Sequence, residues 1–151
     1  MAAVGHIQTL CDSIVTHLQG TTWTDLPVAS ENVSWTWKET IDVKDLKDTV
    51  KLILSPASRE RSNTTRATFE DVIRVENVLI LAGDSANDEA EINRFLVALD
   101  DVMERLDKKS FSPASFRSQT NEVLLERGQA RGIATLRSVV VAEYVFDFVR
   151  S

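Results

Sequence analysis

The chain is poor in residues that do chemistry. Its 151 residues include one cysteine, Cys11, and two histidines, His6 and His17. A single cysteine excludes an internal disulfide, and with it a stapled secreted scaffold. The two histidines lie on one helical segment, about 16 Å apart along its axis, too far to share a metal ion. They read as boundary residues beside an apolar stripe, and Cys11, inside that stripe, reads as a buried structural thiol. Five glycines and three prolines supply no Gly-rich phosphate loop, and neither a CxxC pair nor HExxH occurs. Gly83-Asp84-Ser85 resembles the start of an esterase motif, but no histidine follows Ser85 to act as its base. The run Asp84 to Glu91 is acidic enough for calcium. However, an EF-hand loop begun at Asp84 needs glycine and glutamate where Glu89 and Phe95 stand. The chain therefore reads as no enzyme, with no cofactor and no metal. The enzymatic alternative is Asp84 and Asp88 holding a divalent ion.

Long apolar runs are missing too. None approaches the roughly 18 residues that span a bilayer. The start, Met1 to His6, has neither a basic nor an apolar leader region. The expectation is a chain folded in a reducing cytoplasm with no membrane contact. The net charge of -6 and the pI of about 4.9 argue against an overall field that attracts nucleic acid.

Hydrophobic content of 43% suits one domain with a proper core, over 1–151. Ile7, Leu10, Cys11, Ile14, Val15 and Leu18 recur at helical spacing, and Gly20 follows. Ile92, Phe95, Leu96, Leu99, Val102, Met103 and Leu106 form a second stripe. Asn87 or Asp88 caps that helix, and Lys108 and Lys109 close it. Val33, Trp35 and Trp37 alternate as a half-buried strand. Residues 42–48 read as a charged link. Thr49 to Leu54 and Thr68 to Leu81 read as strands, Ser110 to Thr120 as a loop, and Glu122 to Glu126 as a short strand. Thr135 to Val149 reads as a long strand, apolar on much of both faces. The order α-β-β-β-α-β-β predicts an α+β fold, a mostly antiparallel sheet with two helices packed on one face.

The connection Ser55 to Arg66 is much longer than a tight hairpin needs. It reads as a mobile polar loop over 57–66, either a docking arm for a partner through Arg59, Arg61 and Arg66 or a solvated loop. Arginine's planar fork suits carboxylates and phosphates alike, but nothing aromatic is interleaved as a nucleic-acid platform would require. As exposed charges the three arginines are expected to contribute little to stability. Trp35 and Trp37 read either as core or as a subunit interface. Tyr144, Phe146 and Phe148 on the last strand are expected at such an interface. Asp100, Asp101 and Glu104 read as a solvated helix face or, in a ring, as acids facing a channel through which DNA slides without sticking.

Three stretches together resemble the tail terminators and related minor tail or tail-completion proteins of tailed bacteriophages. They are Ile41 to Pro56 with the arginine-rich loop after it, the acid-started helix Asn87 to Lys109, and the closing strand Leu136 to Phe148. The resemblance implies an α/β subunit that forms a ring, commonly a hexamer, at the head-proximal end of a tail. There the ring stops tube polymerisation and meets the head or neck. It further implies the tail tube protein and a head-completion or neck protein as partners, DNA passing without specific binding, and a place in the virion after assembly in the host cytoplasm. The alternatives are a head-completion or other head-tail connector protein, or a non-viral cytoplasmic adaptor.

Overall fold

A computed structural model describes residues 5–37, 50–130 and 132–149. The segment 42–48 lies outside them, as does much of the first stretch that carries the family resemblance. Helix α1 spans Gly5–Gln19 and buries Leu10, Cys11, Ile14 and Leu18, the stripe its spacing predicts. It ends in a tight turn, with Gly20 N donating to His17 O and Thr21 N to Leu18 O. Gly20 is not left-handed there. A short strand β1, Val33–Trp35, runs parallel to β2, Val50–Asn63. Strand β3, Thr68–Ala82, leads through a short turn to helix α2, Glu89–Leu106. Strands β4, Ser115–Ala130, and β5, Ile133–Val149, complete the chain.

The sheet order is β1-β2-β3-β5-β4, antiparallel except for the β1 edge. One sheet face carries Leu52, Leu54, Ile73, Val75, Leu79, Leu81, Leu136, Val140 and Tyr144, and it forms a single core with the stripes of α1 and α2. Side chains alternate across a strand, so Val78, Val139 and Val141 group with Val123 on the other face. Helix α2 starts where Asp88 accepts a hydrogen bond from Ala90 N at 3.0 Å. Glu89 and Glu91 follow in the first turn, facing the positive end of the helix dipole. It stops at Leu106, and Lys108 adopts a left-handed φ of 56° just beyond.

Two expected loops are strands. Residues 57–63 belong to β2, which pairs with β3 from Val50↔Leu81 out to Asn63↔Phe69. Pro56 is accommodated because β1 reaches only to Leu54, and a bulge between Pro56 and Ser58 absorbs the irregularity. Three threonines close this hairpin without glycine. Thr65 Oγ1 accepts from Ala67 N and Thr68 N at 3.1 and 3.0 Å, and the Thr64 and Thr65 hydroxyls each pair with that of Thr68. Strand β4 likewise takes in most of the stretch read as loop before Thr120. It pairs with β5 through three irregular registers, and its polar sequence is that of an edge strand with little to bury. Gly132, at φ 79°, turns the chain between Ala130 and Ile133.

Candidate assembly surface

Beyond the end of β1, the distal parts of β2, β3 and β5 form a three-stranded tongue. Strand β4 joins β5 only as far as Val145. At about 3.3 Å per residue, β3 alone runs roughly 50 Å. Arg61 is on the tongue, but it is not a free docking group. Its Nε and Nη2 donate to Asp71 Oδ1 and Oδ2 at 2.5 and 2.8 Å. Asp71 is fully buried, and His6 Nε2 lies 3.1 Å from its Oδ2. The guanidinium's hydrogen bonds and charge hold the Asp71 carboxyl below the usual carboxylate range against the desolvation that would raise it. The same guanidinium lies 4.4 Å over the Phe69 ring. Phe69 stacks on Phe148 at 5.1 Å, and His6 meets Phe146 and Phe148 edge-on at 4.7 and 5.0 Å. This clasp ties the N-terminus of α1, the hairpin and the end of β5 into one unit.

The other arginines differ. Arg59 stands in β2 and Arg66 in the turn. Both are exposed, and neither has an ion pair among the described residues. Of the three arginines expected to dock a partner, two are therefore available and one is structural.

The expected interface residues separate in the same way. Tyr144 and Phe146 are buried in the chain's own core, so they cannot face a neighbour. Burial also raises the Tyr144 hydroxyl's pKa. Phe148 is half-buried in the clasp. Most of the apolar surface of β5 is covered within the subunit, and only its end, at Val149, is left open to a neighbour. Trp35 packs against the core and donates from Nε1 to Asp12 Oδ1 at 2.7 Å. Trp37 lies past the strand end, edge-on to Trp35 at 5.0 Å and 62% exposed. Leu124 on β4 and Val149 are the other large apolar residues left open among the described residues, at 59% and 78%.

Of the channel acids, Asp101 is buried. It accepts from Thr24 N at 2.8 Å and Thr24 Oγ1 at 2.7 Å, anchoring the connector after α1 to α2. A carboxylate so engaged cannot line a channel. Asp100 and Glu104 are exposed.

The hollows beside α1 hold no convergent chemistry. The narrower one, of about 160 Å³, is lined by His6, Thr9, Leu10, Ser13, Phe111 and Phe146, among others. At its neighbour, His17 Nε2 is 2.9 Å from Arg105 O, and burial lowers its pKa. Cys11 is fully buried, and that burial pushes its thiol up to about 12. Among the described residues no group of three or more His, Cys, Asp or Glu is placed to hold a metal ion, and no helix is long and apolar enough to cross a membrane.

Among the described residues the sheet offers two open edges. Strand β4 lies at one margin, and β2 from Ser58 to Asn63 lies at the other, where β1 has ended. Unpaired strand edges present rows of backbone donors and acceptors to another chain.

A solved structure titled the virion of a native gene transfer agent particle contains a chain of similar shape. The superposition gives a TM-score of 0.52 and covers 95% of this chain and 99% of that one, at 11% identity. The two chains share a fold. At that identity the likeness speaks for architecture alone. No family model and no curated protein matches the sequence.

Proposed function

We propose that this chain is a structural virion protein. It forms a ring at the head-proximal end of a phage tail, ends tail-tube polymerisation and joins the tail to the head or neck. The observation that carries the reading is the fold likeness to a virion chain, nearly complete in both directions. The sequence resemblance to tail terminators points the same way from an independent direction.

The surfaces suit the role. A ring of identical subunits needs two unlike contact surfaces per subunit, arranged so that the rotation closes. The β4 margin and the distal β2 margin with its tongue are two such surfaces. The net charge of -6 lets DNA pass without adhering, since phosphate binding rests on basic residues. Nothing in the role calls for a cofactor.

A head-completion or other connector protein is the second reading, because the fold likeness is to a chain of a virion particle and does not distinguish one station in it from another. Tail-tube protein polymerised with and without this chain separates the two. A terminator caps the tubes and stops their growth, whereas a connector leaves tube length unchanged and binds the head portal end. Capture of neither tube nor portal would retire both readings.

A further inference from the structure

The tongue carries unlike charges on its two faces. Paired residues of an antiparallel sheet point to the same side. Arg59 pairs with Ile73, which is buried under the helices, so Arg59 stands on the helix side. Glu60 pairs with Val72, Ser62 with Glu70, and Glu70 in turn with Asp147. These three carboxylates therefore share the opposite side.

Elsewhere on that side two arginines are paired, Arg74 with Glu122 and Arg137 with Glu126 at 3.7 Å. Glu60, Glu70 and Asp147 have no ion pair among the described residues. Glu70 and Asp147 are also direct cross-strand neighbours. Like charges so placed destabilise a lone subunit and are relieved by an incoming cation. On the helix side and at the tip, Arg59 and Arg66 make no ion pair among the described residues, and Arg59 feels the Asp71 charge, already held by Arg61, only at longer range.

We infer that the tongue binds a second copy of this chain, with Arg59 and Arg66 of one copy meeting Glu60, Glu70 and Asp147 of the next. The inference rests on the ring reading above and names the surfaces that close the ring. Charge complementarity selects the occupant. Apart from Arg61, which Asp71 neutralises, residues Ser58 to Arg66 hold two arginines and one glutamate, a charge of +1 in a chain of -6, so the rest of each copy carries -7. The surface that best receives this tip is the chain's own. The two sets lie on different parts of the tongue, so the contact runs head to tail and is of the kind that closes a ring. A nucleic acid would be repelled by the carboxylate face.

The test is charge reversal read by light scattering at low and moderate salt. Arg59→Glu with Arg66→Glu is expected to weaken association at least about tenfold, because like charges then face each other across the contact. Glu70→Lys with Asp147→Lys should do the same. The chain carrying all four changes should recover much of its association, since the reversed pairs are again complementary and Glu60 alone keeps its sign. Thermal melting followed by circular dichroism checks folding. Where a reversal fails to fold, Arg59→Gln with Arg66→Gln, or Glu70→Gln with Asp147→Asn, takes its place. If wild type assembles and the single-face reversals assemble equally well, this inference falls and the ring reading stands. If both reversals dissociate and the fourfold variant stays apart, it falls as well. If wild type remains monomeric at every salt, alone and with tail tubes, the ring reading itself falls.

Discussion

Arg61 grips the buried carboxylate of Asp71 through two parallel hydrogen bonds, ten residues away along a hairpin that places the two directly opposite each other. A bidentate guanidinium on a carboxylate without solvent contact is a structural device. It divides three arginines that look equivalent in the sequence. Arg61→Ala is expected to lower the melting temperature clearly, because it takes both guanidinium hydrogen bonds from the buried Asp71 and leaves it His6 and the longer-range charge of Arg59. Arg59→Ala and Arg66→Ala should leave it unchanged within error. Three melting curves by circular dichroism check this. Equal, negligible effects for all three would mean that the clasp does not form.

The same pair makes stability depend on acid. Asp71 has a folded-state pKa below that of the unfolded carboxyl, which titrates near 3.9. The stabilisation is therefore fully present above about pH 4 and is lost as pH falls through the lower, folded value. The difference between wild type and Arg61→Ala should be largest near neutrality and narrow below about pH 4. Urea titrations across that range measure it. A gap that widens on acidification would contradict the assignment.

Asp101 fixes the connector after α1 through the amide and hydroxyl of Thr24. Asp101→Ala is expected to cost about 1.5–3 kcal/mol, the range for hydrogen bonds to charged groups. Asp100→Ala, on the exposed side of the same helix, should cost almost nothing. Equal small effects in denaturant titration would return Asp101 to the solvated face.

Leu99 is 2% exposed, whereas Leu96 is only half-buried. Leu99→Ala is expected to cost about 2–5 kcal/mol through the cavity it leaves. Leu96→Ala should cost distinctly less, although the two leucines belong to one stripe in the sequence.

Helical stripes were the most legible part of this chain, because a 3.6-residue period survives whatever else packs nearby. Leu10, Ile14 and Leu18, like Phe95, Leu99 and Leu106, sit where their spacing puts them. The apolar row Ile73, Val75, Leu79 and Leu81 was equally plain. The distal tongue was not. Ser58 to Asn63 have no apolar alternation because the tongue stands clear of the core on that strand. Backbone pairing to β3 holds them, and threonine hydroxyls replace the glycine that usually marks a hairpin. Strand β4 hid for the same reason. The burial of Asp101 and the engagement of Arg61 depend on partners distant along the chain or across a strand pair, and single-residue character carries no trace of either. Trp37, by contrast, was legible as a residue with two readings, and its exposure favours the one that leaves it available to a partner.

The number of copies in the purified particle tests the account most directly. Light scattering together with negative-stain images, taken alone and in the presence of tail tubes, gives both mass and shape. The account predicts closed annuli with a central opening, free or seated on tube ends. A strict monomer at high concentration, with bare tube ends beside it, would contradict it.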